Sequence, residues 1–135
     1  MTPVLISNNP LVWERYPSAV KVQGTLKDVL LRTRDGIHRG MKLLTHPLTG
    51  SIKPNQSPYK SVLLIQQRGN TVDLFSLQLI EEALATVAKF RSLSCDLPAA
   101  IKQDYQVIDL SFVVSAWDSL RPLGITEPND QPKEA

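Results

Sequence analysis

The spacing of apolar residues changes several times along the chain, and each change marks an expected element. Residues 3–7, PVLIS, form a short apolar run closed by Asn8-Asn9-Pro10. That pattern reads as a strand entering a helix, with Asn9 as N-cap and Pro10 in the first helical position, where its missing N–H is no loss. The helix must be short, because Pro17 disfavours helical geometry at Tyr16. Residues 19–24, AVKVQG, alternate and end on glycine, as an exposed or edge strand does. Thr25 and Asp28 then form an approximate capping box. Behind it Leu26, Val29, Leu30, Thr33 and Ile37 recur at helical spacing, and Gly40 is a natural stop.

Residues 41–45 predict a third strand and residues 61–67 a fourth, whose unbroken apolar run suits burial on both faces. Arg68-Gly69-Asn70 is a turn. Asp73 caps a helix over 74–92, with Leu77, Ile80, Ala83, Leu84, Val87 and Phe90 on its apolar face. Pro98 opens a last helix, about 98–119. It carries two apolar stripes, Ile101/Tyr105/Ile108/Phe112/Ala116 and Val107/Leu110/Val114/Trp117. One stripe is enough to pack on a sheet. The second implies deeper burial or a subunit contact, with Trp117 as anchor. Residues 108–112 also alternate as a strand would, so a strand over 106–114 stays open beside the helix.

The order strand–helix–strand–helix–strand argues for an α/β fold: one small domain, a mostly parallel sheet of about four strands, helices packed on it. The domain is expected over 1–120 and a disordered, Pro-rich tail over 121–135. Right-handed crossovers bring the carboxyl ends of strands 1, 2 and 3 to one edge, where ligands of open α/β sheets bind. The long connection LTHPLTGSIKPNQSPYKS leaves strand 3 at that edge. If strand 4 is antiparallel, the loop also returns there. Structureless connections of more than ~12–15 residues are uncommon in compact domains and are usually functional or disordered. Pro47, Pro54 and Pro58 favour an ordered one, and Tyr59 could anchor it.

Charge changes this picture little. Fifteen basic and thirteen acidic residues leave a net charge of +2 in 135 residues, so nothing pulls the chain toward nucleic acid or an anionic membrane. One cysteine, Cys95, and two histidines make a poor metal set. The N-terminal residues carry no basic n-region or long apolar stretch. A cytoplasmic protein without metal or cofactor is the expectation.

The converging edge suggests an anion site. Ligand-binding candidates are Asn8, Asn9, Thr45, His46, Ser51, Lys53 and Lys60, joined by helix-start N–H groups after Asn9 and Thr25. Each has an ordinary reading too. His46 can bond within its own turn, the lysines can be solvated, and the asparagines can serve as turn and cap residues. Asp104, Asp109 and Asp118 are spread around the last helix and form no carboxylate pair.

The segments ISNNPLV, KLLTHPLTGSIKPNQSPYKSVLL and IDLS resemble the GrdX-like proteins, small bacterial proteins named for a gene encoded beside the glycine reductase complex. The resemblance runs from about residue 4 to residue 116. It implies, for some members, a neighbourhood of amino-acid reduction, selenoproteins and thiol chemistry. It brings no biochemical activity and no catalytic residues, and Cys95 lies outside the matching segments. The sequence therefore suggests a small accessory or binding protein taking an anionic metabolite or an acidic partner at loop 45–61. The alternative is an enzyme with His46 as general acid or base and Lys53 or Lys60 stabilising an oxyanion. A homodimer through the last helix is compatible with either.

Overall fold

The computed structural model describes residues 2–48, 57–89 and 97–127. A four-stranded sheet lies between two helical layers. Its strands are β1 (Pro3–Ser7), β2 (Val20–Lys21), β3 (Met41–Leu43) and β4 (Ser61–Gln66), in the order β2-β1-β4-β3. The helices are α1 (Pro10–Arg15), α2 (Leu26–His38), α3 (Leu74–Ala88) and α4 (Ala99–Leu120).

The sheet is mixed, which corrects the expectation of a mostly parallel one. Only β1 and β2 pair in parallel; β4 is antiparallel to both of its neighbours. The reason lies in the connections. Helices link β1 to β2 and β2 to β3, so those three strands point the same way. The β3–β4 connection contains no crossover helix among its described residues, and a chain that leaves and returns at one edge must come back antiparallel. β4 slots between β1 and β3 and pairs with both.

Alternation along β1 and β4 divides the core. Val4, Ile6, Val62 and Leu64 join Leu26, Val29, Leu30 and Ile37 of α2 and Ile80 and Ala83 of α3. Leu5 and Leu63 belong to the opposite cluster, with Val12, Tyr16, Val113, Trp117 and Leu120. The five inward residues expected for α2 are all buried, and its capping box forms in both directions, with Asp28 N–H donating to Thr25 Oγ1 and Thr25 N–H to Asp28 Oδ2. Two glycines have a backbone role here. Gly40, at φ 97°, turns the chain from α2 into β3. A Cβ on Gly36 would lie 3.2 Å from both Leu64 Cδ1 and Met41 Sδ, so its bare backbone lets α2 sit close on the sheet.

Residues 106–114 are helical, which removes the strand alternative. The register of α4 is also not the expected one. Asp109, Val113, Trp117 and Leu120 face inward, whereas Ile101, Val107, Ile108 and Val114 are exposed. Trp117 is only 1% exposed and packs within its own chain, so it cannot anchor a subunit contact. Arg121–Leu123 adds a 3-10 turn, Ile125 packs against the second cluster, and Glu127 lies 3.8 Å from Arg15. The described chain continues through residue 127. Phe90 and Cys95 lie outside the described residues, as does 128–135.

The free edge of β3 is blunted. Leu43 N–H donates to Ser76 Oγ, and Ser76 Oγ–H donates to Asp73, the N-cap of α3. That removes an open donor from an edge strand. Replacing fully buried Leu30 by alanine is expected to cost about 2–5 kcal/mol in urea unfolding. The same change at Leu74, 74% exposed, is expected to stay within about 0.5 kcal/mol.

Candidate functional site

Where β1 ends, three chain segments meet on one side chain. Asn8 Nδ2 donates to Gly24 O at 3.0 Å and to Pro58 O at 2.8 Å, and its Oδ1 accepts from Lys60 N–H at 2.8 Å. Gly24 lies between β2 and α2, and Pro58 and Lys60 are on the returning limb of the long loop. The edge is therefore assembled as the strand order predicts. However, both Nδ2 donors and one Oδ1 lone pair of Asn8 are used inside the protein, so Asn8 is a clasp.

Asn9 is used as fully. Its Oδ1 accepts from Leu11 N–H as the N-cap of α1, and its Nδ2 donates to Gln106 O and Asp109 Oδ2 at 2.9 and 3.0 Å. These bonds span about a hundred residues of sequence and tie the start of α1 to the middle of α4. Ser7 and Ser61 are register partners on β1 and β4, on the face that α4 covers. Their hydroxyl oxygens are 2.7 Å apart, and Ser61 Oγ is 2.7 Å from Asp109 Oδ2. Asn9 N–H donates to Ser7 Oγ at 2.9 Å. A hydroxyl has one proton, so a one-way chain satisfies every member: Asn9 N–H to Ser7, Ser7 to Ser61, Ser61 to the Asp109 carboxylate. Asp109 is thereby a buried acceptor at the end of a short relay.

Lys60 completes the cluster. It is 8% exposed and Asp109 is 7% exposed. Burial pushes the Lys60 ammonium down to about 8, and the Asp109 charge opposes that shift. Burial likewise raises the Asp109 carboxyl above its usual range, against the bonds from Asn9 and Ser61 and the charge of Lys60. Both groups lose hydration, and each partly compensates the other. At pH 7 a group titrating near 8 is still roughly nine-tenths protonated.

The other half of the rim lies across β4. Thr45 Oγ1 accepts from Leu63 N–H at 3.1 Å, prolonging the β3–β4 ladder. His46 is exposed, and its Nδ1 accepts from Leu48 N–H at 3.0 Å, the bond within its own turn that the sequence allowed. Tyr59 anchors the returning limb, its hydroxyl accepting from Gln106 Nε2 at 2.8 Å. Ser51 and Lys53 lie outside the described residues. Among the described residues no cluster of His, Cys, Asp or Glu could hold a metal ion, and no helix is long and apolar enough to cross a membrane.

The sequence family described as GrdX-like protein matches residues 4–118. The chain belongs to the GrdX-like family. Its matched span contains every member of the polar cluster, from Ser7 to Asp109. No curated protein and no solved structure matches the chain.

Sequence reading missed Asp109, Ser7 and Ser61 as a unit. The available signal was the acid flanked by Ile108 and Leu110, four residues before Val113 and eight before Trp117. On a helix those three share a line, and an acid on a core line needs partners.

Asp109→Ala removes an acceptor from two donors and the counter-charge from Lys60. It is expected to cost about 3–5 kcal/mol in chemical denaturation, the scale for breaking a buried pair, and Asp109→Asn clearly less. Lys60 also gives a pH signature. Its folded-state value, about 8, is below the ordinary lysine value of 10.5. Between those values the unfolded chain binds more protons, so stability rises with pH. Urea midpoints of the wild type should gain on those of Lys60→Met from pH 8 to pH 10. Above that range Tyr16, whose buried phenol is raised to about 12, acts in the opposite sense in both proteins.

Proposed function

We propose that this protein is a small cytoplasmic binding or accessory protein that holds an anionic metabolite, or the acidic segment of a partner, at the rim where β1, β2 and β3 end. The observation that carries the proposal is the Asn8 clasp. A buried amide fastens both ends of the returning limb, Pro58 and Lys60, to the exits of β1 and β2. Such a construction fixes the root of a long loop, which is what a binding loop on a rigid scaffold needs. The Lys60 ammonium adds positive charge at this root, partly offset by the carboxylate of Asp109.

In this reading Asn8 and Asn9 are positioning residues, and Thr45, His46 and Lys60 shape the surface that meets the ligand. In the acid–base alternative His46 Nδ1 is engaged within its own turn, so proton transfer would fall to Nε2. A homodimer through α4 would use the exposed Val107 and Val114, since Trp117 points inward.

Thermal unfolding with inorganic phosphate, succinate and a glutamate-rich peptide tests the proposal. At a hundredfold excess over Kd a ligand adds about 2.7 kcal/mol, worth several degrees in Tm. At least one probe is expected to raise the Tm, and His46→Ala and Lys60→Met are expected to reduce that rise. No shift with any probe, or equal shifts in both variants, would contradict it.

A further inference from the structure

A second, unassigned concavity lies along the flank of α2. It is a cleft of about 100 Å³ between α2 and the β1–β2 half of the sheet. Its floor includes the apolar side chains of Val4, Val20 and Met41, and its wall is Arg32, Asp35 and Arg39. Met41 begins β3, pairing with the last residue of β4, whereas Ile6 and Val20 pair one residue before β1 and β2 end, so the cleft runs from beside the rim toward the opposite end of the sheet.

The cleft follows from the architecture. α3 packs on one flank of α2, where Arg34 reaches Glu81 at 3.4 Å. The described residues place no helix on the other flank, and Val4 and Val20 remain half-buried there. Arg32, Asp35 and Arg39 stand at i, i+3 and i+7, so they share one flank of the helix, with about 10 Å of axial rise between the arginines. Unlike Arg34, neither Arg32 nor Arg39 has its guanidinium in a hydrogen bond or ion pair with a described residue.

We infer that this cleft binds a short-chain aliphatic carboxylate, its carboxylate held by Arg32 and Arg39 and its hydrocarbon laid on Val4, Val20 and Met41. Three observations select that chemistry. Two unpaired guanidiniums favour an anion, and their forked donors match a carboxylate. Asp35 between them opposes a second negative charge, which favours a monoanion over a phosphate dianion. The floor is apolar and the volume is below the roughly 150 Å³ that admits benzene, so the hydrocarbon part is limited to about four carbons.

The test is an amide-detected NMR titration of the full chain with valerate, its neutral analogue valeramide, and butyl phosphate. Valerate is expected to give saturable shifts at Val4, Val20, Gly36 and Arg39. Valeramide should not saturate, and butyl phosphate should bind more weakly than valerate. Arg32→Gln with Arg39→Gln removes both charge-assisted contacts and should weaken valerate at least about tenfold, the scale of losing even one of them, without changing the Tm, because both side chains are exposed. Val20→Trp, which fills the floor, should have the same effect on binding. The inference is overturned if valerate produces no saturable shifts at these amides, or if both variants bind it normally. It is also overturned if butyl phosphate binds more tightly, or if the shifts fall on Asn8 and Lys60; that last pattern would support the rim site.

Discussion

A carboxylate held away from water controls how this protein is put together. Asp109 sits between a helix and two strands and accepts from Ser61 and Asn9, with Lys60 nearby. Burying that charge is unfavourable on its own, and removing any partner leaves part of the cost uncompensated. Each partner comes from a different place: Asn9 from the β1–α1 junction, Ser61 from the first residue of β4, and Lys60 from the loop before it. A rotation of α4 would turn Asp109 away from these partners, and a one-residue slip of β4 would take Ser61 off the face that α4 covers. The polar cluster thus selects one arrangement of apolar layers that would otherwise tolerate several.

The rim inherits its order from that arrangement. β4 enters beside β1 because Ser61 must lie opposite Ser7. Its predecessor Lys60 then meets Asn8, and Asn8 reaches Gly24 on the far side. Three strand ends and a loop are joined by bonds that no ligand has to supply. The exposed groups above this base, His46 among them, stand on a fixed support. A rim built this way can recognise a ligand without first paying to order its own foundation.

Much of this was legible from residue order, and the reasons differ by element. α2 was readable because a capping box, a 3.6-residue stripe and a terminal glycine agreed with one another. β1 and the Asn9 cap were readable because Asn-Pro is strong local punctuation. The direction of β4 was not readable from propensity, since an apolar run has no sign; only the loop's two ends at one edge determine it. α4 was recognised as a helix but not oriented, because apolar residues occur on all its sides. The inward side was marked by an acid, Asp109, that apolar periodicity discards. The convergence of Asn8, Asn9 and Lys60 followed from topology. Their internal bonding did not, because hydrogen-bond partners fifty to a hundred residues apart leave no periodic trace.

The account stands on the claim that the loop root is clasped as firmly as the sheet itself. Amide hydrogen exchange at Lys60, whose N–H donates to Asn8 Oδ1, tests it most directly. The account predicts protection comparable to that of Leu64 in the centre of the sheet, released only by global unfolding. Exchange at Lys60 near the rate of an unprotected amide, with Leu64 still protected, would contradict it.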